Sequence, residues 1–127
     1  MTPGDLDILT RTLYGEARGE SDLGRRAVAH VILNRAKLGF TIAQVCLKPF
    51  QFSAWNPNDP NYKKLQAVGL DDKDFRGCMR AALTAIDEPD LVSGARHYCT
   101  VDIDPPWAKG HQPVCRIGGH KFFAGIK

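Results

Sequence analysis

A mainly helical α+β domain is the fold class this sequence predicts, on three observations. The first ninety or so positions hold four segments with helical apolar spacing, separated by glycine and proline stops. The last third changes character: residues 94–100 and 114–123 have short extended patterns around an Asp-Ile-Asp-Pro-Pro-Trp connection. Finally, 127 residues with 43% hydrophobic and 24% charged content suit one domain built on one core. Repeats, low-complexity tracts and linkers are absent from the sequence, so residues 1–127 read as a single unit with a small β or irregular C-terminal lobe.

Thr2-Pro3-Gly4-Asp5 opens the first helix, with a hydroxyl cap, a first-turn proline and an acid three residues after the cap. Leu6, Leu9, Leu13 and Ala17 follow at helical spacing, and Gly19 ends the run. Ser21 caps a second helix reaching to about Lys37. Its face of Ala27, Val28, Val31, Ile32 and Arg35 marks it as the central core helix, and Gly39 stops it. Thr41-Ile42-Ala43-Gln44 is a capping box opening a short third helix that closes before Pro49. Residues 50–62, with three Asn, two Pro and no helical period, read as a long ordered loop of the kind that often carries function. A further helix covers about 72–87, with Phe75, Cys78, Met79, Ala82 and Ile86 inward and Pro89 beyond its end.

Composition narrows the function classes. No apolar run approaches the ~20 residues of a membrane-spanning helix. The first 20 residues carry two Asp and no basic segment, so no signal peptide is expected, nor stable membrane association. The net charge of +3 comes from scattered Lys and Arg without a basic stripe and interleaved aromatics, which argues against nucleic acid as a partner. A mild attraction to a polyanionic substrate fits it. The four cysteines, 46, 78, 99 and 115, form no Cys-x-x-Cys unit and are expected as buried free thiols. A Cys99–Cys115 bridge is the disulfide to check first. Cys99, His111, Cys115 and His120 have loose spacing for zinc, and no metal is expected.

Three stretches could carry chemistry. In residues 13–20, Leu-Tyr-Gly-Glu-Ala-Arg-Gly-Glu, Glu16 falls in the last turn of the first helix. The electronegative end of a helix and partial desolvation both raise a carboxyl pKa, as a general acid requires. Glu20 would lie about 6 Å away if the helix continued, but Gly19 and Ser21 argue that it does not. Glu20 is then a capping or Arg-paired acid, with Arg35 one available partner. Asn34-Arg35 reads as structural support at the end of the core helix. In the second stretch, Gln51-Phe52-Ser53-Ala54-Trp55, Gln51 and Ser53 offer hydrogen bonds. Phe52 and Trp55 offer flat apolar faces for sugar rings, or alternatively pin the loop to the core. In the third, Gly94-Ala95-Arg96-His97-Tyr98, Tyr98 suits tuning a neighbouring carboxyl or orienting substrate. His97 is a candidate base, and a His97–Cys99 thiol mechanism is the weaker alternative. Pro106-Trp107 is expected along the same cleft, while His120 with Phe122 and Phe123 closes the core.

These stretches occur together, in this order, in one family. The sequence resembles the SleB-type cell-wall hydrolases, which include spore cortex-lytic enzymes and phage endolysins. The matching segments are LYGEARGE (13–20), Gly24, AHVILNR (29–35), QFSAW (51–55), GARHY (94–98), Pro106-Trp107 and IGGHKFF (117–123). The resemblance implies a lysozyme-like fold and a peptidoglycan lytic transglycosylase with Glu16 as its catalytic acid and no cofactor. Glu20, Gln51, Phe52, Ser53, Trp55, His97, Tyr98 and Trp107 are then the expected substrate contacts. The family often has an aromatic at the position of His97 and Asn at that of Thr100. Many bacterial members also carry a signal and a peptidoglycan-binding domain. A bare, leaderless catalytic domain is expected to be a phage endolysin, monomeric, held in the host cytoplasm until a holin admits it to the wall. The alternatives are a hydrolytic muramidase using Glu20 or another acid, a non-catalytic glycan-binding module, and a structural role in the phage particle.

Overall fold

Reciprocal caps start the helices where the sequence places them. In the computed structural model, which describes residues 1–49 and 51–126, Thr2 Oγ1 accepts from the Asp5 amide at 3.1 Å. The Asp5 carboxylate in turn accepts from the Thr2 amide at 3.2 Å. Helix α1 (Pro3–Ala17) follows. Ser21 caps α2 (Asp22–Ala36) through the Gly24 amide. Thr41 and Gln44 form the second capping box, opening α3 (Ile42–Leu47). A short 3-10 turn, Ser53–Trp55, leads to α4 (Tyr62–Ala67). Asp72 caps α5 (Lys73–Asp87) through the Phe75 amide.

Helix α2 is the central helix: Ala27, Val28, Ala29, Val31 and Ile32 are all fully buried. A surface helix would bury one stripe only. Its Val28, Ala29 and Ile32 join Leu9 and Leu13 of α1 and Phe75, Cys78 and Ala82 of α5 in the main core. Its Ala27 and Val31 meet Val92, Ala95 and Phe122 in a second cluster beneath the sheet.

Two expectations about elements need correction. Residues 51–62 are not all loop, since the chain turns at Ser53–Trp55 and enters α4 at Tyr62; Phe50, the first residue of that expected loop, lies outside the described residues. Helix α4 has no side-chain cap bond and buries only Leu65, so it leaves no periodic signal. Tertiary contacts hold it instead. The Arg11 guanidinium donates to the Leu65 carbonyl at 2.6 Å and the Val68 carbonyl at 2.7 Å. Gly15 allows the close approach, because a Cβ there would lie 2.5 Å from the Ala54 Cβ and 3.2 Å from Leu65 Cδ2. On α5, Ile86 is exposed and Ala85 takes the inward position. Phe75, Cys78 and Ala82 set the buried face, and Ile86 lies one residue round the helix from it.

The C-terminal lobe is a three-stranded antiparallel sheet. Strands β1 (His97–Thr100), β2 (Cys115–Ile117) and β3 (His120–Phe123) lie in the order β1-β3-β2. The register pairs Tyr98 and Cys115 with Phe122, and Cys99 with Lys121. Cross-strand partners share a face and neighbours along a strand do not. Cys99 and Cys115 therefore lie on opposite faces of strands separated by β3, and the Cys99–Cys115 bridge cannot form. The same geometry keeps Cys99, His111, Cys115 and His120 from meeting round a metal. All four cysteines are free thiols, but only Cys46 and Cys78 are buried as expected; Cys99 and Cys115, on the sheet, are partly exposed. Burial pushes the Cys46 thiol up to about 12 and Cys78 up to about 11.

Candidate functional site

Glu16 is the next-to-last residue of α1 and is half-buried. Its carboxyl is pushed up to about 7, first by burial and second by the negative charge of Asp59. Among the described residues, no donor or cation pairs with it. The nearby Arg18 is engaged elsewhere: it donates to the Tyr14 carbonyl at 2.9 Å and to Asn61 Oδ1 at 2.7 Å. Its guanidinium also lies 4.7 Å from the Tyr14 ring centroid. A desolvated carboxyl without a cation holds its proton near neutral pH.

Asp59 is a candidate site residue that the sequence motifs did not single out. Its carboxylate accepts from the Asn61 amide at 2.8 Å, and its own amide donates to the Asn56 carbonyl at 2.9 Å. The turn-forming run Asn56-Pro57-Asn58-Asp59-Pro60 was the available signal. Which of its polar groups faces Glu16 depends on how the loop lies on α1. Trp55 fixes that loop, since its Nε1 donates to Thr12 Oγ1 at 2.9 Å, one turn before Glu16. Trp55, Asn58, Asp59, Leu47 and Lys48 line a cleft of about 580 Å³. Ser53 is exposed at the start of the 3-10 turn.

Tyr98 approaches Glu16 from the sheet. Its ring stacks on Phe122 at 5.9 Å and meets the edge of His120 at 5.1 Å. Burial pushes its hydroxyl well above the ordinary value, and the Glu16 charge adds to this. A neutral phenol near the carboxyl can donate a hydrogen bond to it or to substrate. Arg35 lies behind Tyr98. It donates from Nε to the Arg96 carbonyl at 2.7 Å and stacks over Phe52 at 5.5 Å. Burial holds its pKa below the usual guanidinium value.

Several expected contacts lie elsewhere. Phe52 is 2% exposed, so it anchors the loop to the core and presents no face to a sugar. Glu20 reaches the β2–β3 turn and does not pair with Arg35. Its carboxylate accepts from the Gly119 amide at 3.0 Å and lies 3.6 Å from His120 Nδ1. Glycines shape its cradle: a Cβ at Gly118, where φ is +58°, would be 2.6 Å from Glu20 Oε1, and one at Gly24 would be 3.0 Å from Glu20 Cβ. Glu20 thus ties the α1–α2 corner to the β2–β3 turn. Trp107 packs on His97 and on Phe123, each at 5.2 Å, on the sheet face opposite Tyr98. Burial, then Arg35 and Arg96, keep His97 below its ordinary pKa. Burial raises the Cys99 pKa, and its thiol points to the Ile103 carbonyl at 3.7 Å, so the pair lacks an activated thiolate. His97 and Gln51 line a second groove beside the first.

A family model described as Cell Wall Hydrolase matches residues 19–123. The chain belongs to the cell wall hydrolase family. Spore cortex-lytic enzymes of Halalkalibacterium halodurans and Bacillus subtilis are similar to it, each 32% identical over 93% of this chain. Those alignments cover 34% and 37% of the relatives, so the chain spans about a third of their length. Among solved structures, the catalytic domain of the Bacillus cereus SleB protein superposes with a TM-score of 0.78 at 28% identity, covering 97% of this chain and 91% of that one. The catalytic domain of a germination-specific lytic transglycosylase, SleB from Bacillus anthracis, gives the same TM-score and identity, covering 98% and 97%. The mainly helical, lysozyme-like α+β fold expected from the sequence is thus the fold of this family's catalytic domains.

Proposed function

We propose that this family member is a peptidoglycan lytic transglycosylase that cleaves the β-1,4 bond between N-acetylmuramic acid and N-acetylglucosamine with Glu16 alone. The half-buried Glu16 carboxyl, pushed up to about 7 and without a cation partner, is the observation that supports this most. The protonated carboxyl donates to the glycosidic oxygen as that bond breaks. The carboxylate then takes the proton of the muramyl C6 hydroxyl as its oxygen bonds to C1, closing a 1,6-anhydro ring. The proton returns to Glu16 and no water is consumed. One residue acting as acid and then base needs a pKa near the working pH.

Asp59 favours a second reading, hydrolysis. A second carboxylate that Glu16 senses could activate a water, as in two-carboxylate glycosidases. Glu20, engaged by Gly119, does not fit that role.

Digestion of purified peptidoglycan by wild type and Glu16→Gln, with mass spectrometry of the soluble fragments, tests both. Anhydro-muramyl ends from wild type alone are the expected result. Reducing ends, heavier by one water, would replace the first reading with the second. No fragments from wild type would overturn both. The proposal extends to a phage endolysin role. Cells expressing the protein should then lyse only when a membrane pore is opened, and lysis without a pore would refute it.

A further inference from the structure

Beside the cleft lined by Trp55 and Asp59 lies a groove of about 710 Å³ with a different chemistry. Arg35, Lys48 and Arg96 line it, and no carboxylate does. Among the described residues, none of these three cations forms a salt bridge. Asp5, which reaches the neighbouring Ala43 amide, is occupied by that contact and by the α1 cap. Arg35 is half-buried, so its charge is partly withdrawn from water. The remaining walls are mostly apolar, with Gln44, Gln51 and His97 the neutral polar groups among them, and Leu38, Phe40 and Leu47 are exposed. Leu47 and Lys48 belong to both this groove and the cleft that holds Trp55 and Asp59, so the two adjoin.

A neutral sugar strand does not call for three unpaired cations. A short acidic peptide does, when its carboxylates alternate with small apolar side chains. In peptidoglycan such peptides branch from the muramic acid whose bond is to be cut. We propose that this groove binds the acidic peptide branch of the substrate, with Arg35, Lys48 and Arg96 receiving its carboxylates and the Leu38–Phe40 wall its apolar side chains. This rests on peptidoglycan being the substrate. The enzyme then senses both glycan and peptide, and strands with charged branches are its preferred substrate.

The test compares peptidoglycan carrying native branches with the same material whose branch carboxylates have been coupled to methylamine. Wild type should show a KM about tenfold lower on the native material, one charge-assisted contact's worth of binding. In Lys48→Glu and Arg96→Glu, both at exposed positions, that ratio should fall toward one. A ratio near one in wild type, or one unchanged in both variants, overturns the proposal. A second measurement keeps it independent of catalysis, an NMR titration with N-acetylmuramyl-L-alanyl-D-isoglutamine. Shifts confined to the amides of Leu38, Phe40, Lys48, Arg96 and His97 support the groove. Shifts elsewhere, or none, overturn it, as would the same shifts produced equally by inorganic phosphate. If wild type cleaves neither substrate yet the titration maps to the groove, it is the proposed activity that has failed.

Discussion

Replacing Glu16 with Gln should stabilise the protein at neutral and alkaline pH while abolishing its activity. The native carboxyl titrates at about 7 against an ordinary 4.5. The difference of about 2.5 units corresponds to about 3 kcal/mol. Between those two values the folded chain holds a proton that the unfolded chain releases, so stability falls as pH rises. Below 4.5 both states are protonated and the penalty vanishes; above about 7 it levels off. Gln is neutral throughout and escapes it. The partial exposure of Glu16 trims the effect to about 2–3 kcal/mol. At roughly 3–4 °C per kcal/mol for a domain of this size, the variant's Tm advantage should grow by roughly 6–12 °C between about pH 4 and pH 8. Thermal scans of both proteins across that range measure it directly. Parallel Tm curves would show that Glu16 is an ordinary carboxylate, and the general-acid argument would collapse with it. Turnover in the variant should fall by at least about 10²–10⁴-fold, the scale of a positioned acid–base group.

Three further outcomes follow from the same geometry. Asp59→Asn removes the charge that helps to hold the Glu16 proton, so the alkaline limb of the pH–rate profile should move to lower pH; an unmoved limb would mean that the two carboxyls do not communicate. Gly118→Ala places a Cβ against Glu20 at a positive φ and breaks the Gly119 contact. It should cost about 2–4 kcal/mol by denaturant unfolding, from left-handed strain and one charge-assisted hydrogen bond; wild-type stability would contradict the Glu20 latch. Gly15→Ala drives the loop off α1, costing about 1–3 kcal/mol and reducing activity through displaced Trp55 and Asp59. A fully active variant would show that the loop's seat on α1 does not matter.

What the sequence determined by itself is local. The Thr2–Asp5 and Thr41–Gln44 boxes, the Ser21 cap and the apolar run of α2 rest on interactions within a few residues, and each lies where those residues demand. The place of Glu16 in the last turn of α1 was legible for the same reason, but its standing as the candidate acid came from the family resemblance, and its raised pKa comes from burial and Asp59. Tertiary structure decided what depends on distant partners. Helix α4 exists because Arg11 reaches its carbonyls and Gly15 admits Leu65. Trp55 rests on α1 with its indole bonded to Thr12, while Phe52 turns into the core. Glu20, four residues from Glu16 in sequence, serves a turn about a hundred residues away because Gly118 and Gly119 make room for it. Asp59 is brought to bear on Glu16 only by the folding of its loop against α1, since a carboxyl pKa depends on which charges and how much water surround it in space.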